Sequence, residues 1–115
     1  MTRLTRAISW IRAARKDFGT FPEEVRSTCL DALTIAAEGG KVDIVKPLKG
    51  LGSVVLEIIL RHRGVAFRVV YAVQIGDDLW VIHAFQKKSK RGIATPKPHI
   101  HLIKERLKRL TETIA

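Results

Sequence analysis

Three apolar runs joined by very short links dominate the middle of this 115-residue chain. Residues 53–62, 65–75 and 79–85 are rich in Val, Ile, Leu and aromatic side chains, and the links between them are Arg63-Gly64 and Gly76-Asp77-Asp78. Glycine adopts the positive-φ conformations that hairpin connections need, so both links read as tight turns. The chain is thereby committed to an antiparallel meander. On its middle strand Phe67, Val69, Tyr71 and Val73 share one face, and Arg68, Val70, Ala72 and Gln74 share the other.

The flanks supply helices. A short apolar run at 8–11, with Trp10, reads as an edge strand, and residues 13–18 as a helical turn stopped by Gly19. At Thr20-Phe21-Pro22-Glu23 the spacing predicts a helix start, with Thr20 as cap, Glu23 as capping-box partner and Pro22 in the first turn. Val25, Cys29, Leu33 and Ala36 then recur at helical spacing, with Leu30 and Ala37 widening the stripe, and Gly39-Gly40 ends the helix. Residues 41–52 read as a connector. Thr95 is placed to cap a last helix whose Ile100, Ile103, Leu107, Leu110 and Ile114 form an amphipathic stripe. Lys104, Arg106, Lys108 and Arg109 fall off that stripe and are expected to face outward. The meander needs a helix to cover its apolar face, which argues against a membrane-surface role for this one. The expected fold is α+β: a single domain over residues 1–115, with an antiparallel sheet of about four strands packed with N-terminal helices and a C-terminal helix.

Charge narrows the choice of partner. The formal net charge is +10 with a pI near 10.4, which self-repels unless a polyanion is close. Residues 1–43 nearly balance, with seven Lys/Arg against six acids. Residues 87–115 carry nine Lys/Arg against only Glu105 and Glu112. The polyanion should therefore meet the C-terminal part, and nucleic acid is the first candidate. Cys29 is the single cysteine, so no intramolecular disulfide forms, and a reducing cytoplasm fits. No signal-peptide core and no apolar stretch of membrane-spanning length is present.

The densest charge lies in residues 85–96, FQKKSKRGIATP, where Lys87, Lys88, Lys90 and Arg91 fall within five positions. Unpaired, they cannot enter a core. Lys46 and Lys49 flank Pro47 in the connector and read either as a solvated loop or as further phosphate contacts. Arg68 sits mid-strand, and two readings fit it: a cross-strand pair with Glu57, or a cation that grips phosphate bidentately. His83 lies on the last strand, two residues before the 85–96 stretch. His99 and His101, two apart, lie on different faces of a helix with no Cys or carboxylate cluster beside them, so no metal site or cofactor is expected. Clustered cations beside Arg68, Tyr71 and His83 suit metal-free RNA cleavage. In that reaction the 2′-OH loses a proton, the phosphorane charge is neutralised and the 5′-oxygen gains a proton.

The motifs LKG (48–50), LEI (56–58), FRVVY (67–71) and IHAFQKKSKRGIATP (82–96), in this element order, resemble the phage-related HigB-type branch of the RelE/ParE toxin superfamily. That resemblance covers nearly the whole chain. It implies a toxin of a type II toxin–antitoxin pair, inhibited by a protein antitoxin, often of helix-turn-helix type, with which it forms a hetero-oligomer. It further implies a ribosome-dependent mRNA endoribonuclease that uses the 2′-OH without metal or cofactor. Position by position, it casts Arg68 as the ligand of the scissile phosphate and matches Lys87 and Lys88 to the family's lysine pair; Tyr71 and His83 are the acid–base candidates that the chemistry above supplies. Lys46, Lys49, Lys90, Arg91 and Lys97 are the RNA-binding set. Many relatives carry E-L-R where this chain has Glu57-Ile58-Ile59, and tyrosine where it has Phe67. Two alternatives share the scaffold or the charge: a ParE-like inhibitor of DNA gyrase, and a non-catalytic nucleic-acid-binding phage accessory protein.

Overall fold

Two glycine turns build the centre of the molecule. Strand β3 (Val55–His62) reverses at Arg63-Gly64 into β4 (Val65–Ile75). Both turn residues have positive φ, 50° and 78°, as a two-residue connection that follows the strand twist requires. At the other end of β4, Gly76 (φ 63°) and Asp77 turn the chain into β5 (Asp78–Lys88), so that Ile75 faces Asp78. The β3–β4 register is unbroken from Val55↔Ala72 to His62↔Val65. The β4–β5 register shifts twice, between Val70 and Tyr71 and between Ala72 and Ile75. The computed structural model describes residues 5–51, 54–88 and 94–114.

Two short strands complete a five-stranded sheet of order β1-β5-β4-β3-β2. The edge strand expected near Trp10 is present as β1 (Ile8–Trp10), and it runs parallel to β5, which makes the sheet mixed. Backbone bonds from Leu79 N–H to Ala7 O and from Ile11 N–H to Val81 O fasten it. The region read as a connector contains β2 (Val45–Pro47), antiparallel to β3. Its three residues end on a proline, which only an edge strand tolerates.

Helices α1 (Arg12–Phe18) and α2 (Glu23–Ala37) cover one face of the sheet. The capping box at Thr20 does not form. The Thr20 hydroxyl instead donates to Asp17 O at 2.6 Å, and Pro22, in an extended conformation, precedes the helix. The glycine stop is as expected: Gly39 (φ 91°) donates to Ala36 O and Gly40 to Ile35 O, satisfying carbonyls the helix leaves open. Val25, Cys29, Leu33 and Ala36 are buried with Phe21, Ile58, Phe67, Val69 and Tyr71. Leu30 departs from the expected stripe and is 43% exposed.

Helix α3 (Lys97–Ile114) covers the other face. Ile103, Leu107 and Leu110 pack on Val55, Val70, Ala72, Ile75 and Ile82 in a second core. Thr95 does not cap this helix. Pro96 O takes the His99 and Ile100 N–H groups, and the Thr95 side chain is used elsewhere. The alternation read on β4 holds, since Phe67, Val69 and Tyr71 enter the first core, and Val70 and Ala72 the second. Among the described residues no helix is long and apolar enough to cross a membrane.

Candidate functional site

Directly paired strand residues share a face, so the register places Lys46 and Glu57, Arg68 and Phe85, and Ala66 and Lys87 in three rows on the α3 side of the sheet. His83, opposite Val70, lies on the same side. Here charged and ring side chains interrupt the apolar face, and the start of α3 closes over it.

Arg68 and Glu57 are 2% and 3% exposed. Arg68 Nη1 lies 3.3 Å from Glu57 Oε1 and 3.3 Å from the Thr95 hydroxyl. That hydroxyl stands 3.1 and 3.0 Å from the two carboxylate oxygens, to which it donates. The Arg68 guanidinium also sits 5.9 Å from the centre of the Phe85 ring. Burial raises the Glu57 pKa, opposed by the charge of Arg68 and by hydrogen bonds from Thr95 and Arg68. Arg68, expected to hold the scissile phosphate, is thus placed beside Glu57 and Thr95. Its Nη1 is directed at a carboxylate and a hydroxyl beneath the start of α3, away from solvent.

Beside this pair lies a stack of rings. His99 lies flat on Phe85, with centroids 3.8 Å apart and planes at 12°, and His83 stacks on Phe85 at 5.2 Å. His83 Nε2 and His99 Nδ1 are 2.8 Å apart. Arg106 Nη1 donates to Ile82 O at 3.0 Å and to His83 Nδ1 at 3.1 Å. Burial, Arg106 and His99 together lower the His83 pKa to about 4. Burial, Arg68 and Lys87 lower that of His99. His83 was expected as an acid–base group. Both of its ring nitrogens lie within hydrogen-bond distance of protein groups, His99 and Arg106, and it is 3% exposed.

The other expected residues divide. Lys87 and Lys88 belong to β5, which runs past the apolar stretch 79–85, and both are exposed. Successive strand residues point to opposite faces, so Lys87 joins the Arg68 side while Lys88, opposite Val65, does not. Tyr71 lies on the opposite face of the sheet from Arg68. It is 1% exposed in the core under α2, where burial pushes its hydroxyl up to about 12. Lys46 is exposed on the site's face, and Lys97 is exposed at the first position of α3. Lys49 follows β2 at the Val55 end of the sheet, beside Leu48, whose N–H bonds Val55 O. Along β4 that level is six residues from Ala66 and Lys87, or about 20 Å. Lys90 and Arg91 lie outside the described residues.

Thr95, His99 and Arg106 were missed as site residues. A signal for the last two was present. His99, Ile103, Arg106 and Leu110 are spaced four, three and four apart, which puts His99 and Arg106 on the sheet-facing side of α3 with two core residues. Reading every cation as outward-facing concealed it.

The architecture is that of the RelE toxins. The chain superposes on an arginine-to-alanine double mutant of the Escherichia coli toxin RelE in the free state, with a TM-score of 0.62 at 19% identity, covering 91% of this chain and 97% of that one. It also superposes on the RelBE2 toxin–antitoxin complex of Mycobacterium tuberculosis, with a TM-score of 0.52 at 12% identity, covering 76% and 98%. The protein belongs to the phage-derived Gp49-like family, whose pattern matches residues 16–108. No curated protein matches it in sequence.

Proposed function

We propose that the protein is the toxin of a type II toxin–antitoxin pair and cleaves mRNA on the ribosome by attack of the 2′-OH, without a metal. The observation that carries this reading is the position of Lys87. It is exposed at the end of β5 and lies within electrostatic reach of the partly exposed His99, on the same face as the exposed Lys46. A phosphodiester drawn there meets an ammonium group and a ring N–H donor, the groups that neutralise charge growing on phosphorane oxygens. Lys97 at the start of α3 extends the cationic rim. The fold and the family support a toxin whose partner is a protein antitoxin, since one of the superposable structures is a toxin–antitoxin complex.

Inducing the gene in growing cells and mapping mRNA 5′ ends tests the reading. New ends within translated messages, lost in Lys87→Ala, are expected. Growth arrest with intact messages overturns it.

One observation favours a second reading. The expected phosphate ligand, Arg68, is buried with its Nη1 on Glu57 and Thr95, an arrangement that also suits a toxin that binds its target without cutting RNA. A gyrase supercoiling assay separates the two, because only the ParE-like reading predicts inhibition.

A further inference from the structure

Hydrogen-bond direction fixes more about the histidine pair than its position does. A guanidinium only donates, so the 3.1 Å contact from Arg106 requires His83 Nδ1 to carry no proton. The proton of His83 is then on Nε2, 2.8 Å from His99 Nδ1. Only one hydrogen fits between two nitrogens at that distance, so His99 Nδ1 is the acceptor and is also bare. The proton of a neutral His99 must sit on Nε2. That atom makes no hydrogen bond among the described residues and is not sealed from solvent among them.

We propose that Arg106, acting through His83, locks His99 as a neutral ring with its Nε2–H presented as a fixed donor to a phosphate oxygen, so that His99 binds the anion and moves no proton. Charging His99 would place a second hydrogen between the rings. Charging His83 would set an N–H against the Arg106 guanidinium. The groups around the pair oppose a further positive charge from every side: Arg106 from α3, Arg68 from β4 and Lys87 from β5. The sole carboxylate in the cluster among the described residues, Glu57 on β3, is already engaged by Arg68 and Thr95. The depressed pKa values of both rings agree with the geometry. Arg106 and His83 are positioning residues. The role assigned to His99 deepens the RNA-cleaving reading and rests on it for the identity of the anion, whereas the lock itself does not.

The test is the tautomeric state of each ring, read from long-range ¹H–¹⁵N spectra of histidine-labelled protein between pH 8 and pH 5.5. His83 and His99 are expected to show a bare Nδ1 and a protonated Nε2 across that range, and inorganic phosphate should shift His99 Nε2 but not His83. Arg106→Lys, which keeps a donor, should preserve the pattern, and Arg106→Met should release a mixture of tautomers that titrates. A proton on His83 Nδ1, a His99 charged at pH 7, or no response of His99 to phosphate overturns the proposal. The wild-type spectrum decides the matter even if Arg106→Met does not fold. Locked rings in a protein that leaves mRNA intact would remove only the cleavage reading. Cleavage by a protein with free rings would remove only the lock.

Discussion

Arg68 and Glu57 meet 3.3 Å apart beneath the start of α3, on adjacent strands and almost wholly withdrawn from solvent. The register pairs Arg68 with Ile59 and Glu57 with Val70, so the contact is diagonal, two residues off the direct pair. The arginine reaches along the sheet, and Thr95 closes the space that remains. Position 68 thus ties β4 to β3 and to the segment that leads into α3.

Removing one member of this pair should cost more than removing both. Arg68→Ala leaves a buried carboxylate without its cation and should destabilise the protein by about 3–5 kcal/mol. The double replacement Arg68→Met with Glu57→Met should recover most of that loss, and urea unfolding measures both. An Arg68→Ala protein as stable as wild type would show that the pair does not hold the fold.

Acid should weaken the fold through His83. Its folded pKa, about 4, lies below the ordinary 6.5, so between these values the unfolded chain binds the extra proton. Stability from this ring is complete above pH 6.5 and is lost as pH falls toward 4. Glu57 works the other way, because its folded pKa is raised from 4.5 and its contribution to stability falls as pH rises above that value. The difference between wild type and His83→Gln isolates the histidine. Urea midpoints should drop more steeply between pH 6.5 and pH 4.5 in wild type than in the variant.

The two adjacent lysines should not be equivalent. Lys87 shares a face with Arg68 and Phe85, and Lys88 faces the opposite way. Lys87→Ala should lower RNA cleavage by about a hundredfold, the scale of losing one charge-stabilising donor. Lys88→Ala should change it only a few-fold. Equal losses, measured as initial rates, would contradict the assignment of faces.

Two groups that chemistry alone makes tempting should be silent. Tyr71→Phe should leave the cleavage rate within about twofold of wild type, since the ring lies in the opposite core. Burial pushes the Cys29 thiol from 9.0 up to about 11. It should react with a disulfide reagent about a hundredfold more slowly in the folded protein than in urea.

Much of the scaffold could be read directly from residues. The turn at Arg63-Gly64, the glycine stop after α2 and the stripe of α3 each follow from local rules, because the residue type and the backbone geometry it favours coincide. β2 escaped because three residues ending in Pro47 carry no periodicity. β1 was visible as a strand, but its parallel partner lies some seventy residues away and no local signal encodes that pairing. The site was legible in composition and not in orientation. Sequence density grouped Lys87 with Lys88, and strand alternation separates them. Tyr71 and Arg68 stand three apart, an odd spacing that puts them on opposite faces of a strand. Arg106 looked like a solvated cation because its helix faces were judged by polarity, whereas its guanidinium reaches back to His83 and Ile82 O.

The central claim, that Lys87 and His99 border a site where RNA is cut by its own 2′-OH, is tested most directly by the chemistry of the products. Purified protein added to ribosomes paused on a defined message should release fragments ending in a 2′,3′-cyclic phosphate, and the Lys87→Ala variant should release far fewer. An intact message, or fragments bearing a free 3′-hydroxyl, would contradict it.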